Sequence, residues 1–224
     1  MNTYNRNLDY LTYQRGLTFG KLEELLAMPK VSLMEPGPDE LIRVADFFGV
    51  SLEVLLRHEI NKLDDVNAKD IKLIILDVDG TMTDGGMYFS ENGDQIKKYN
   101  TKDGMAIKRL SKTGVQFGII SHGHKLNMVQ DRANLLGIQH VYVGQDKKTH
   151  VLQQWCSTLN LQPSQVAFVG DDINDLEIMQ TVGISACPND AVLEIQKISS
   201  IILTKKGGQG CIREFIDVWF NDVK

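Results

Sequence analysis

From residue 73 onward the chain repeats one pattern, a short aliphatic run followed by a longer stretch in which apolar residues recur at helical spacing. The runs are LIIL (73–76), VQFGII (115–120), HVYVG (140–144), QVAFVG (165–170), GISAC (183–187) and IILT (201–204). Continuous apolar runs separated by helices are what strands look like when both faces of a parallel sheet are covered. The pattern predicts an α/β fold with a Rossmann-like, mainly parallel sheet and helices on both faces. One stretch departs from it. After the first run, GGMYFSENGDQIKKYN (85–100) predicts a β-hairpin flap turning at Glu91-Asn92-Gly93-Asp94.

Residues 1–60 carry no such runs. KLEELLAM (21–28) and PDELIRVADFFGVSLEVLLRHEI (38–60) place apolar residues three and four apart, with turn signals around Pro36-Gly37-Pro38. They predict helices only. The polar stretch NKLDDVNAKD (61–70) separates the two textures, so a small all-helical domain over 1–64 and an α/β domain over 65–224 are expected.

Composition narrows the functional classes. With 224 residues, 42% of them hydrophobic, the chain can bury one substantial core and a small accessory one. Its 24 basic and 29 acidic residues give a net charge of −5 and no overall attraction to nucleic acid or anionic membrane. Cys156, Cys187 and Cys211 lack CxxC spacing, and they read as reduced thiols of a cytoplasmic protein. The N-terminal MNTYNRNLDYLTYQRG has no apolar leader, and no window approaches the roughly 18 apolar residues of a membrane span.

In an open parallel sheet, residues just past the strand ends converge on one crevice. Those positions hold Asp77 and Asp79, then Ser121, then Lys148, then Gly170-Asp171-Asp172-Ile173-Asn174-Asp175. Clustered carboxylates repel, so they call for a divalent cation or for protonation of one member. All-oxygen ligands favour Mg²⁺. Each aspartate could instead cap the helix that follows it.

Taken together, DxDGxxTDG (77–85), the hydroxyl of Ser121, Lys148 at a helix start and GDDxND (170–175) resemble the four motifs of the haloacid dehalogenase superfamily of phosphohydrolases, over about residues 70–220. The resemblance implies that Asp77 attacks phosphorus and that Asp79 is general acid and then base. It implies Mg²⁺ on the Asp77 carboxylate, the Asp79 main-chain carbonyl and Asp171. Lys148 would neutralise the cluster, Ser121 would bond a phosphoryl oxygen, and Asp172 and Asp175 would orient Lys148 or metal-bound waters.

Only a hairpin fits between the first strand and its helix, so no large cap domain is expected. With DGGMYFSENGDQIKKYNTKDG (84–104) and KKGGQGCIREF (205–215), this resembles the 3-deoxy-D-manno-octulosonate 8-phosphate phosphatase family and its relatives acting on nine-carbon sugar acid phosphates. The resemblance implies a capless homotetramer in sugar acid biosynthesis, with the hairpin at 85–99 as lid and oligomerisation element. The sugar acid would lie along Asn100-Thr101-Lys102-Asp103-Gly104, with Lys108, His124 and Arg132 adding contacts. The octulosonate enzymes usually carry arginine where Lys102, Lys108 and His124 stand here, and the nonulosonate relatives tend to carry glutamate at His124. The second motif, IISHGHK (119–125), is one residue longer than usual. The expected substrate is a 2-keto-3-deoxy sugar acid phosphate, octulosonate 8-phosphate first and a nonulosonate 9-phosphate second.

LDYLTYQRGLTFGKLEELLAM (8–28) and IRVADFFGVSLEVLL (42–56) resemble the helix-turn-helix domains of the Xre/Cro repressor family. Between Leu26 and Ala45 there is too little chain for the usual recognition helix and the helix after it. Residues 1–60 also hold six basic residues against nine acidic, which disfavours phosphate backbones. A packing or oligomerisation appendage is expected rather than a DNA-binding module. A regulatory protein sensing a sugar phosphate is the alternative of another class, but a sensor has no need of Asp77, Asp79, Lys148 and Asp171 together.

Overall fold

Each of the six aliphatic runs contains a strand in the computed structural model, which describes residues 2–50, 52–57, 68–91, 95–123 and 126–220. The chain divides into two compact units, Met1–Asp65 and Val66–Lys224.

In the first unit the helices are α1 (Thr3–Gln14), α2 (Phe19–Leu26), α3 (Lys30–Met34), α4 (Pro38–Phe48) and α5 (Leu52–Arg57). Their starts follow from capping chemistry. The side chains of Asn2 and Thr18 accept the N–H groups of Asn5 and Lys21, and Pro38 opens α4, where its missing N–H costs nothing. Gly49, at φ +70°, ends α4 and divides the longer amphipathic stretch in two. Leu8, Leu22, Leu33, Val44 and Leu55 form a fully buried core. The segment between Leu26 and Ala45 does hold both a helix, α3, of only five residues, and the first turns of α4.

In the second unit the strands are β1 (Leu73–Leu76), the hairpin pair β2 (Tyr88–Phe89) and β3 (Gln95–Ile96), β4 (Gln116–Ser121), β5 (His140–Val143), β6 (Val166–Val169), β7 (Ile184–Cys187) and β8 (Ile201–Ile202). The helices are α6 (Thr101–Ser111), α7 (Leu126–Leu136), α8 (Lys148–Leu159), α9 (Leu176–Met179), α10 (Leu193–Ile198) and α11 (Cys211–Trp219). The main sheet runs β5-β4-β1-β6-β7-β8 with every neighbouring pair parallel. Leu73 and Ile75 pack with Leu152, Phe168, Ile178 and Ile195 on the side of α8, α9 and α10. Ile74 and Leu76 point the opposite way by strand alternation and are equally buried, on the side of α6, α7 and α11.

The topology decides where a site can form. The chain goes from β1 outward through β4 to β5, then returns to lay β6 on the other side of β1. That reversal opens a crevice at the carboxyl ends of β4, β1 and β6. The hairpin pairs Tyr88 with Ile96 and Phe89 with Gln95, and a bridge between Thr83 and Tyr99 fixes its base. Its turn residues 92–94 lie outside the described residues. Met87, Tyr88, Phe89 and Ile96 are all exposed. No helix among the described residues is long and apolar enough to cross a membrane.

Candidate active site

Asp77 is the first residue past β1, and its N–H donates to the Val169 carbonyl at 2.9 Å, extending the pairing with β6 by one step. The chain then makes a wide turn over Val78–Met82, closed by the Thr83 N–H and hydroxyl, both donating to the Val78 carbonyl. Gly80 sits in that turn at φ +92°, where a side chain is strained. A Cβ there would come within 2.0 Å of the Asp171 carboxylate. Gly207, from the loop before α11, approaches from another side, and its Cβ would lie 1.7 Å from the Gly80 carbonyl oxygen. Two glycines thus let three loops close on one point.

Lys148, the first residue of α8, places its ammonium 2.5 Å from both Asp77 Oδ1 and Asp175 Oδ1, and all three side chains are almost fully buried. Burial alone would lower the Lys148 pKa, but the two carboxylates more than offset that and hold it above its ordinary value. Asp175 Oδ2 accepts the N–H groups of Asp171 and Asp172, so this side chain ties the loop after β6 to the lysine. Asp171 in turn accepts the Thr81 hydroxyl at 3.0 Å. Burial pushes Asp77 up to about 7 and Asp171 up to about 8, with repulsion from neighbouring carboxylates adding to both.

Asp77, Asp171 and Asp175 each bring an oxygen to within 4.8 Å of the others. That donor set is all oxygen and fits a hard divalent cation such as Mg²⁺. The charges fit as well. Fully ionised, Asp77, Asp79, Asp171 and Asp175 would outnumber the ammonium groups of Lys148 and Lys97 by two charges, the number a divalent cation would neutralise.

The other expected residues divide by position. Ser121 is buried at the end of β4, with its Oγ accepting the Gly123 N–H. Asp172 is exposed and bonds the N–H of Ile173, as a cap does. Asn100 caps α6 through the Lys102 N–H and donates its amide to the Gly208 carbonyl. Arg132 donates to the Asn100 carbonyl and lies over the Tyr99 ring. Thr101, Gly104, Lys108 and Arg132 line one cavity of about 250 Å³, with Met105 and Leu135 completing its wall. Lys102 is exposed, and His124 lies outside the described residues. His122, the extra residue of the second motif, sits with Nε2 3.0 Å from the Asp146 carbonyl and Nδ1 3.4 Å from the Asn174 amide.

Asp103 is 3% exposed, and its Oδ1 accepts the Arg213 N–H at 2.7 Å, in the first turn of α11. Burial pushes its carboxyl up to about 6, against the Arg213 and Gly210 N–H groups and the charges of Arg132 and Arg213. A carboxyl with a raised folded-state pKa contributes stability below its unfolded value of about 3.8, and this is lost as the pH rises through about 6. The difference between about 3.8 and about 6 bounds the effect at ~3 kcal/mol. Asp103→Asn keeps the acceptor without the charge. Its melting temperature relative to the parent is expected to climb from pH 4 to pH 6 and then level off; a constant difference would contradict the burial.

Sequence reasoning assigned no role to Lys97, to Thr81 or to the 207–208 loop, though that loop lies in a stretch that carries the family resemblance. Lys97 follows β3, is 5% exposed at its side chain, and forms an ion pair with Asp79. Its neighbour Lys98 pairs with Asp84 in the open, and nothing in the sequence distinguishes the two lysines.

Comparison with known proteins agrees with this geometry. A family model described as haloacid dehalogenase-like hydrolase matches residues 137–216. The chain is 39% identical over 157 residues to 3-deoxy-D-manno-octulosonate 8-phosphate phosphatase KdsC of Yersinia pestis, covering 69% of this chain and 83% of that one. The KdsC of Escherichia coli K12 is 36% identical over 151 residues, 67% and 80% of the two chains. A crystal structure of the Y. pestis enzyme superposes with a TM-score of 0.68 at 38% identity, over 70% of this chain and 86% of that one. The Moraxella catarrhalis enzyme, solved with a magnesium ion, a phosphate ion and a KDO molecule, gives a TM-score of 0.68 at 31% identity, over 72% and 91%. The chain therefore belongs to the haloacid dehalogenase superfamily and, within it, to the 3-deoxy-D-manno-octulosonate 8-phosphate phosphatase family.

Proposed function

We propose that the protein is a Mg²⁺-dependent phosphomonoesterase that releases phosphate from a 2-keto-3-deoxy sugar acid phosphate, foremost 3-deoxy-D-manno-octulosonate 8-phosphate. The observation that carries this is the buried Asp77–Lys148–Asp175 cluster at the chain reversal, with Asp171 beside it, in a chain so similar to enzymes of that name.

An oxygen of the Asp77 carboxylate attacks phosphorus while the bond to the sugar oxygen breaks, giving an aspartyl-phosphate and an alcohol that takes its proton from Asp79. Water then attacks phosphorus and gives its proton to the Asp79 carboxylate, which frees Asp77 and inorganic phosphate. Mg²⁺, which the carboxylates of Asp77 and Asp171 and the Asp79 carbonyl would hold, would supply the positive charge that lets an anionic nucleophile approach an anionic ester. Lys148 keeps the Asp77 oxygen aimed, and Asp175 keeps Lys148 aimed. The Ser121 hydroxyl donates to a phosphoryl oxygen. Arg132, Lys108 and Thr101, with Asn100, Lys102, Asp103, Gly104 and His124, receive the sugar acid; the cavity shared by Thr101, Gly104, Lys108 and Arg132 supports that assignment.

The exposed Met87, Tyr88, Phe89 and Ile96 suit a hairpin that docks on further copies of the chain, in keeping with a homotetramer. The N-terminal helices serve packing or assembly, since α3 offers five residues and the unit's charge is negative. The test is phosphate release with Mg²⁺ or EDTA across octulosonate 8-phosphate, nonulosonate 9-phosphate and common sugar phosphates. Release is expected only with Mg²⁺ and best with octulosonate 8-phosphate. Preference for the nine-carbon substrate would move the assignment to the nonulosonate enzymes, and no release from any substrate would favour the regulatory alternative.

A further inference from the structure

We infer that Lys97 is a positioning residue for Asp79: its buried ammonium, delivered by the hairpin, fixes the carboxylate that exchanges protons with the leaving group and with water. The inference rests on the proposed role of Asp79. The two residues come from different segments, Asp79 from the turn after β1 and Lys97 from the chain leaving β3. The Asp79 side chain is one-third exposed and the Lys97 side chain 5%. A carboxylate that open to water has several rotamers available, and an ammonium that buried is costly unless paired. Pairing removes both problems and selects one orientation of Asp79.

The neighbouring residues sharpen the contrast. Lys98 is 68% exposed and pairs with Asp84 near the surface, where such a pair contributes little. Lys97 is instead buried against Asp79, two residues before Tyr99, whose backbone bridges to Thr83 at the hairpin base. Burial and the Asp79 charge both raise the Tyr99 pKa, with Arg132 opposing, which places that ring in the same polar neighbourhood. Lys148 pairs with Asp77 and Lys97 with Asp79, so each of the two reacting carboxylates has a lysine partner.

A positioning role predicts a loss that depends on the leaving group. A sugar alkoxide must be protonated as it departs, whereas nitrophenolate leaves with little help. Lys97→Met keeps the aliphatic stem and is expected to lower kcat for octulosonate 8-phosphate by about tenfold or more, within the range of general acid effects. Its kcat for nitrophenyl phosphate should fall less than about threefold, and Lys98→Met should change neither. Lys97→Arg, which keeps the charge and donors, is expected to recover part of the loss. It also serves as the informative variant if Lys97→Met does not fold.

Asp79→Asn separates the two levels. If Asp79→Asn fails to discriminate between leaving groups, the proposed role of Asp79 is wrong. If Asp79→Asn discriminates but Lys97→Met lowers both substrates equally, Asp79 keeps its role and the inference about Lys97 falls. The double variant decides the connection. A lysine acting through Asp79 makes Asp79→Asn/Lys97→Met no slower than Asp79→Asn alone, whereas multiplied losses would assign Lys97 an independent function.

Discussion

Asp77→Asn is expected to reduce Mg²⁺-dependent phosphate release below about one-thousandth of the parent rate, a loss typical of removing a catalytic nucleophile, while the protein stays folded. The amide has nearly the shape of the carboxylate but no charge with which to attack phosphorus. Stability should move the other way. Burial and the nearby carboxylates of Asp175 and Asp79 raise the Asp77 pKa to about 7 against the pull of Lys148. Above that pH the folded protein therefore holds an unfavourable charge in the absence of metal, and asparagine removes it. Lys148 keeps its bond to Asp175. Thermal unfolding in EDTA at pH 8 is expected at or above the parent temperature. Retained turnover would reject the covalent mechanism; a large fall in melting temperature would mean that Asp77 is chiefly structural.

Lys148→Met is expected to be the most damaging substitution to stability. It leaves Asp77 and Asp175 facing each other at the end of a water-poor sheet with Asp171 beside them, all without a cation. Removing one partner of a buried ion pair costs about 3–5 kcal/mol. Methionine matches the stem, so the loss reports charge rather than volume. Because a divalent cation supplies charge to the same oxygens, adding Mg²⁺ should raise the melting temperature of this variant more than that of the parent. Equal Mg²⁺ shifts in the two proteins would show that the lysine and the metal do not share a charge cluster.

The sheet and its strand-end carboxylates were legible because both follow from short-range pattern. Four-residue apolar runs with no polar member are buried on both faces, and β1 and β6 coincide with such runs. β8 is shorter than its run. Leu203 still donates to the Cys187 carbonyl of β7, but the N–H groups of Thr204 and Lys205 donate to the Glu214 carboxylate of α11, a contact invisible before the helix is placed. Asp103 shows the same limit. Its surroundings in sequence suggest a polar helix start, but the N–H it accepts belongs to Arg213, 110 positions away. Lys97 and Lys98 are equal in composition and adjacent in the chain, and only the turn of the hairpin base sends one inward. The resemblance to known enzymes supplied residue roles and no depth, so the bond between Asp103 and the start of α11 lay beyond it.

The order of the strands also bears on how the site comes into being. β1 is central, flanked by β4 on one side and β6 on the other, and Asp77 meets Asp171 and Asp175 only once the later strand has docked. A nascent chain that has emerged only through β5 can pair β1, β4 and β5 but carries neither of the other two members of the acidic cluster. Contacts this distant in sequence are slow to form because the closing loop is long. The crowding of carboxylates is therefore deferred until β6 docks beside β1, by which time Lys148 has already been made.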